Sequence, residues 1–279
     1  MNDPEMSTEA HDHRLLQAAQ SGDREALATL LEKHQQRVFG FGMKMCGDPE
    51  DAKDVAQETL LAAVRTFRGF RGDASITTWL CTVARSFCIK KRRRTKGAPA
   101  QHESLNEAVT EAASEPAPSP EQMLLGREAR NLVATALDDM EPDAREIVLL
   151  RDIEGLSAPE VAQVTGLSVA AVKSRLHRAR QSLRERLLAV VGEPTEPASS
   201  TCPDVLTLLS KKLEEEVSPD LCAEMERHVD GCPHCKGLCD SLKRTLAVCR
   251  ALPTPSVPPH VQESLRRAVR EALQKDSVV

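Results

Sequence analysis

The sequence predicts an all-α protein made of three small helical units joined by two linkers, and three observations carry that expectation. Aromatic residues are only 2% of the 279 residues, with no Tyr and one Trp, while hydrophobic residues reach 41%. Cores of this composition are built from Leu, Val and Ala, which favours helices. Apolar residues recur at helical spacing, and an Ala/Glu/Pro/Ser-rich stretch at 97–120 and a Pro/Ser/Thr-rich one at 192–201 separate the periodic blocks.

In the first block, Leu27, Leu30, Leu31 and Val38 mark one helix, and Val55, Leu60, Leu61, Val64 and Phe67 mark a second. Asp48-Pro49 is a helix start, with Pro in the first turn and acids following it. FRGFRGDAS (67–75) is a glycine-punctuated loop, after which ITTWLCTVARSFCIKKRRR resumes a helix. Residues 97–120 have no apolar face and read as a linker. A second helical block covers about 121–191. The tail holds helix candidates near 219–230 and 236–251, and PTPSVPP then breaks the chain. HVQESLRRAVREALQK forms a last amphipathic helix with Leu265, Val269 and Leu273 on one face. It either covers a partner-binding surface or caps the tail, and capping is the favoured expectation.

Charge and hydropathy exclude several classes. The longest apolar runs, such as LLAVV, fall far short of a bilayer span, and the N-terminus is too polar for a signal peptide, so a cytoplasmic protein with no membrane partner is expected. No phosphate loop or paired catalytic carboxylate motif is visible, which argues against an enzyme. The net charge of −5 hides two basic stripes, RSFCIKKRRRTK and KSRLHRARQSLRER, and an acidic one, DPEDAKDVAQE. Two basic stripes on helical patterns point to nucleic acid.

In the second block a short helix at about 157–164 is followed by Thr165-Gly166-Leu167 and a longer helix from Ser168. Gly166 supplies the turn, Ser157 and Ser168 are good N-caps, and Val161, Val164, Leu167 and Val172 fill the angle between the helices. This is helix-turn-helix geometry. Early turns of the second helix would meet base edges, making Ser168, Ala170, Ala171, Lys173, Ser174, His177 and Arg178 the DNA-reading candidates. Arg175, Arg180, Arg184 and Arg186 are expected to hold phosphates or to be solvated.

Of the nine cysteines, Cys46, Cys81 and Cys88 lie in apolar helical patterns and read as small buried hydrophobes. The other six crowd the tail. His228 and Cys232 are four apart, on one face of a helix end, and Cys232-Pro-His-Cys235 is a knuckle whose thiolates can converge on one ion. Cys202 or Cys222 would complete four ligands. Cys239 and Cys249 then exceed a four-ligand site, and that surplus suggests sensing. Thiolates suit copper(I), zinc or cadmium.

DPEDAKDVAQETLLAAVRTFRGFRGDASITTWLCTVARSFCIKKRRR resembles region 2 of bacterial extracytoplasmic-function (ECF) sigma factors, and the helix-turn-helix block looks like their region 4. The resemblance implies region 2 at 14–95, a flexible linker at 96–122 and region 4 at 123–191, then a cysteine-rich metal domain at 200–252 and a final helix at 260–275. It implies core RNA polymerase and promoter DNA as partners. Asp51, Asp54, Gln57 and Glu58 would bind the polymerase, and Ser75, Thr77, Thr78, Trp79, Arg85, Ser86, Lys90 and Lys91 would meet the −10 element. Trp79 is also read as a core anchor. Ser86 stands where these factors often carry Asn. The tail is similar to a zinc-binding anti-sigma domain fused in cis, as in CorE-type metal-responsive factors. That implies control by Cys202, Cys222, His228, Cys232, Cys235, Cys239 and Cys249 with no separate anti-sigma factor. A constitutive structural zinc domain and a Cys232–Cys235 redox switch are the alternatives.

Overall fold

The computed structural model describes residues 4–72, 74–95, 131–193, 196, 199, 201–252 and 255–275. The expected linker at 96–122, and the start of the second block up to residue 130, lie outside the described residues. The chain divides into two compact units, 1–111 with 254–279, and 112–253. Among the described residues there are helices and turns but no strand.

In the first unit, local chemistry sets the helix boundaries. Helix α1 (Pro4–Gln20) begins ahead of the expected boundary at residue 14. Asp23 accepts the Ala26 N–H and starts α2 (Arg24–Cys46), which Gly47 ends in the left-handed region at φ 74°. The next residue, Asp48, caps α3 (Pro49–Thr66) by accepting the Asp51 N–H, so one glycine and one aspartate reverse the chain. Gly42 lets the two helices close: a Cβ there would lie 3.1 Å from the Ala52 Cα. A short turn, Phe67–Gly69, leads to α4 (Ile76–Thr95). Leu30, Leu31, Phe39, Phe41 and Met43 of α2 meet Val55, Ala56 and Leu60 of α3 and Leu80 and Ala84 of α4 in the core. Phe67, Phe70 and Trp79 cluster beside it, with the Phe70 and Trp79 rings 5.0 Å apart, so Trp79 is an anchor as anticipated.

The final helix departs from the favoured expectation. Rather than capping the tail, α13 (Pro259–Lys275) packs on α2 and α3. Val261, Leu265, Val269 and Leu273, spaced four apart, form its buried stripe. Arg266 and Arg270 reach Glu32 at 3.7 and 3.5 Å. The physical reason is that the stripe finds its apolar counterpart on the first unit, while the tail buries its own apolar residues elsewhere.

The second unit opens with helical residues 131–138 (α5) and α6 (Pro142–Val148), which runs into a single wider π turn, Leu149–Ile153. Helix α7 (Ala158–Thr165) and α8 (Val169–Arg186) form the helix-turn-helix, followed by α9 (Leu188–Val191). Ser157 and Glu160 make a reciprocal capping box, Gly166 turns the chain at φ 73°, and Ser168 accepts the Ala171 N–H. Val161, Val164 and Val172 are buried between the helices as anticipated, joined by Leu176, while Leu167 is only half-buried. The tail adds α10 (Val205–Lys212), α11 (Pro219–Gly231) and α12 (Pro233–Arg250). Val205, Leu209, Cys235, Cys239, Leu242 and Leu246 make its core, and both α10 and α12 pack on α8.

Candidate functional site

Helix α8 carries the expected DNA-reading residues, and its environment is unequal along the surface. Ser168, Ala170, Ser174 and Arg178 are exposed, and Ala171 is half-buried. Lys173 and His177 face the tail instead. The Lys173 ammonium donates to the Glu214 carbonyl at 2.7 Å, and the Glu216 carboxylate lies 3.8 Å from it. The His177 ring bonds Ser210 Oγ through Nδ1 and Glu216 through Nε2, both at 2.8 Å. One turn further on, Arg180 is 1% exposed rather than a free phosphate contact. Its guanidinium holds Asp152 at 2.6 Å and Glu214 at 2.8 Å, and donates to Ser210 as well. Arg184 is also buried and donates to Ser241. These two arginines correct the expectation that they touch phosphate or solvent. Burial would lower the Arg180 pKa, but the bonds to Asp152 and Glu214 outweigh it and raise it, so the charge stays in place.

The Lys173, His177 and Arg180 stripe is therefore engaged by tail residues 210–216, with Asp152 also holding Arg180, and Arg184 is engaged by Ser241. Sequence reading missed that segment, SKKLEEE, which runs from the last turn of α10 into the turn that follows it. Its signal was the only run of three consecutive glutamates in the chain. Glu215 sits at φ 59°, the only described non-glycine residue with positive φ, and the left-handed turn there ends α10 and separates the two functional carboxylates. Glu214 is buried, while Glu216 remains accessible.

The tail also gathers Cys202, His228, Cys232 and Cys235, whose ligand atoms lie within 4.8 Å of one another. Cys202 Sγ is 3.7 Å from Cys232 Sγ, and His228 Nε2 is 3.2 Å from Cys235 Sγ. Four ligands at zinc–sulfur distances form a tetrahedron with edges of about 3.8 Å, so the set suits a closed zinc-type site. The local fold explains the convergence. Cys202 precedes α10, His228 is in the last turn of α11, and Cys232 caps α12 with Cys235 in its first turn. Burial, together with the neighbouring Cys202 and Cys232 thiols, pushes the Cys235 pKa up to about 12, while the Cys235 N–H pulls that of Cys232 down. A bound cation would supply the missing compensation for paired thiolates.

Three other expected ligands lie outside this cluster. Cys222 is half-buried on α11. Cys239 belongs to the apolar core, and Cys249 is fully buried, its pKa pushed up to about 12 by burial and by nearby Asp152. The surplus that suggested sensing is therefore largely core packing.

In the first unit, the structure brings together two sets of residues that were read separately. The Lys91 ammonium lies 2.8 Å from Asp51 and 2.6 Å from Asp54, and Asp54, Gln57, Glu58, Phe87, Lys90 and Lys91 line one groove between α3 and α4. Burial would lower the Lys91 pKa, but the two aspartates raise it. Ser75, Ser86 and Lys90 are exposed, and Thr77, Trp79 and Arg85 half-buried. Thr78 is fully buried, its hydroxyl 2.8 Å from Ser75 Oγ, so it supports the helix start from behind the surface.

These features define a helical protein whose second unit carries a helix-turn-helix with a cationic second helix. Family matches agree: sigma-70 region 2 covers residues 30–97, sigma-70 region 4 covers 130–183, and a zinc-finger family covers 202–236. The RNA polymerase sigma-H factor of Pseudomonas aeruginosa is 30% identical over 192 residues, spanning 67% of this chain and all of that protein. The ECF RNA polymerase sigma-E factor of Escherichia coli is 27% identical over 190 residues, spanning 67% of this chain and 99% of that protein. Among solved structures, CnrH in complex with the cytosolic domain of CnrY shows 27% identity, covering 64% of this chain and 99% of that one, with a TM-score of 0.47. The chain belongs to the ECF sigma factors of the sigma-70 family, DNA-binding regulators of transcription initiation, and it carries an added zinc-finger domain. Among the described residues no helix is long and apolar enough to cross a membrane.

Proposed function

We propose that this ECF sigma factor is held in check in cis by its own C-terminal domain, in the manner of CorE-type factors. In this reading it needs no separate anti-sigma factor. The observation that carries this reading is the engagement of Lys173 and His177, two of the residues placed on the DNA-reading face, by Glu214 and Glu216. Carboxylates set against a cationic recognition helix occupy the place that phosphates and base edges would take. Such a contact must break, or shift, before −35 DNA can reach Lys173 and His177.

Cys202, His228, Cys232 and Cys235 would hold the ion. When bound, the ion supplies a cross-link between the segment before α10 and the α11–α12 corner. The chain from Cys202 to Cys232 contains Ser210, Glu214 and Glu216, so the state of that cluster bears on how firmly they sit on α8. Three sulfurs and one imidazole suit zinc, and copper or cadmium would compete for the same thiolates. Target genes in metal homeostasis or resistance would follow from that response. Region 2 would bind core polymerase through the acidic rim of the α3–α4 groove and the −10 element through exposed Ser75, Ser86, Lys90 and half-buried Arg85, all within the cytoplasm where polymerase works.

A second reading, a constitutive structural zinc domain, is favoured by one observation: the closed set of four ligands leaves Cys239 and Cys249 in the core. Run-off transcription with core polymerase separates the two. A sensor changes promoter output several-fold between zinc-loaded, copper-challenged and chelated protein. Equal output across all three, with the chain still folded, leaves the structural reading standing and rejects metal control.

A further inference from the structure

Cys46 and Cys88 are far apart in sequence, and each reads alone as a small hydrophobe. The fold joins them. Cys46 is the last residue of α2 and is half-buried, Cys88 lies fully buried on α4, and their sulfurs are 3.5 Å apart. That is van der Waals contact, so a disulfide needs roughly 1.5 Å of further approach between side chains that already face each other. Among the described residues the metal-type cluster is confined to the tail, so this pair lacks the further ligands that would make it an ion site.

The two positions are also chemically unequal. The side-chain hydrogen bond with Cys88 pulls the Cys46 pKa below the ordinary thiol value. Burial and Asp51 oppose that, while the Arg92 and Lys91 cations favour the thiolate. Cys46 is thus the more accessible thiol, with its pKa lowered, and Cys88 is the sheltered one behind it. Attacking and resolving cysteines of redox pairs are arranged this way.

We propose that Cys46 and Cys88 form a reversible redox pair in region 2, oxidised to a disulfide by hydrogen peroxide. The Cys46 thiolate attacks one peroxide oxygen, giving a sulfenic acid and, after proton uptake, one water. The Cys88 sulfur then attacks the Cys46 sulfur, the S–S bond forms, and the hydroxyl leaves as a second water with the Cys88 proton. Two thiols are oxidised by two electrons in total and one peroxide is reduced to two waters. A dithiol reductant reverses the reaction by exchange. The bond would tie the end of α2 to α4 beside Lys91, the residue that bridges Asp51 and Asp54.

The test uses the full chain loaded with zinc, so that the tail thiols are occupied, and titrates it with hydrogen peroxide before alkylation and digestion without reduction. The expected product is a linked peptide pair containing Cys46 and Cys88 that disappears with dithiothreitol. The first unit should also unfold at a higher temperature when oxidised, because the cross-link restricts the unfolded chain. Cys46→Ser should abolish both effects and leave the reduced protein's unfolding unchanged. Cys88→Ala should stop the reaction at a Cys46 sulfenic acid that a dimedone probe captures. Over-oxidation of Cys46 to sulfinic acid in the natural chain without any linked peptide overturns the proposal. So does an unreacted Cys46 at peroxide doses that oxidise tail thiols.

Discussion

The two units treat their functional charges in opposite ways. In the first, the acids assigned to polymerase binding are paired by Lys91 from the same helical bundle, at a partly exposed site where water also solvates them. In the second, cations of the recognition helix are paired by carboxylates from a domain appended after it, and one of those pairs, Arg180–Glu214, is buried almost completely. An internal surface pair shapes a binding face and leaves it open to a partner. An appended, buried pair covers part of the helix that carries it. Under the proposed control in cis, DNA reading at the second unit is the step that the tail would block.

Removing an ion held by the Cys202, His228, Cys232 and Cys235 cluster should produce the largest effect and test whether the tail domain has stability of its own. Ion binding of this kind contributes on the order of 10 kcal/mol to a small domain's folding. Chelation, or Cys235→Ser, should lower helical circular dichroism and expose 202–252 to protease, while the first unit keeps its cooperative unfolding. Retained protease resistance in 202–252 would break the link between cluster and domain.

Next in size is the buried triad. Asp152→Asn leaves Arg180 with Glu214 as its one carboxylate partner, and urea denaturation of the second unit should show a loss of about 3–5 kcal/mol. The matching change in the first unit, Asp51→Asn, should cost no more than about 1 kcal/mol, because Lys91 keeps Asp54 and solvent. Equal losses would erase the contrast drawn above.

Glu216→Gln should act on function more than on stability. The amide keeps the shape of the side chain but surrenders its charge toward Lys173 and His177, so −35 promoter affinity in a fluorescence anisotropy titration should rise about tenfold, equivalent to about 1.4 kcal/mol. Unchanged affinity would mean that the Lys173 and His177 contacts do not limit DNA access. The smallest effect belongs to the turn at Glu215: glycine there tolerates positive φ, and Glu215→Gly should raise the thermal midpoint of the second unit by at most a few degrees.

Much of this was legible from local chemistry. Caps at Asp48, Ser157 and Ser168, the Gly166 turn and the 3.6-residue spacing of apolar residues mark helix ends and inward faces, because those signals act over one or two turns of chain. The Cys232–Cys235 knuckle with His228 was equally local, and the choice of Cys202 over Cys222 needed the fold. The acidic segment at 214–216 went unread because a glutamate run between helices looks solvated until a cation is brought to it.

Spacing along the chain settles which residues share a helix face, since a turn repeats every few residues whatever surrounds it. It says nothing about what lies opposite that face. Whether Arg180 meets phosphate or Asp152, whether α13 caps the tail or lies on α2 and α3, and whether Cys46 meets Cys88 were settled only when distant segments packed. Each of those outcomes depends on burial and on partners from remote parts of the chain. Desolvation makes an unpaired charge costly and a matched one durable, so the tertiary fold assigned those roles.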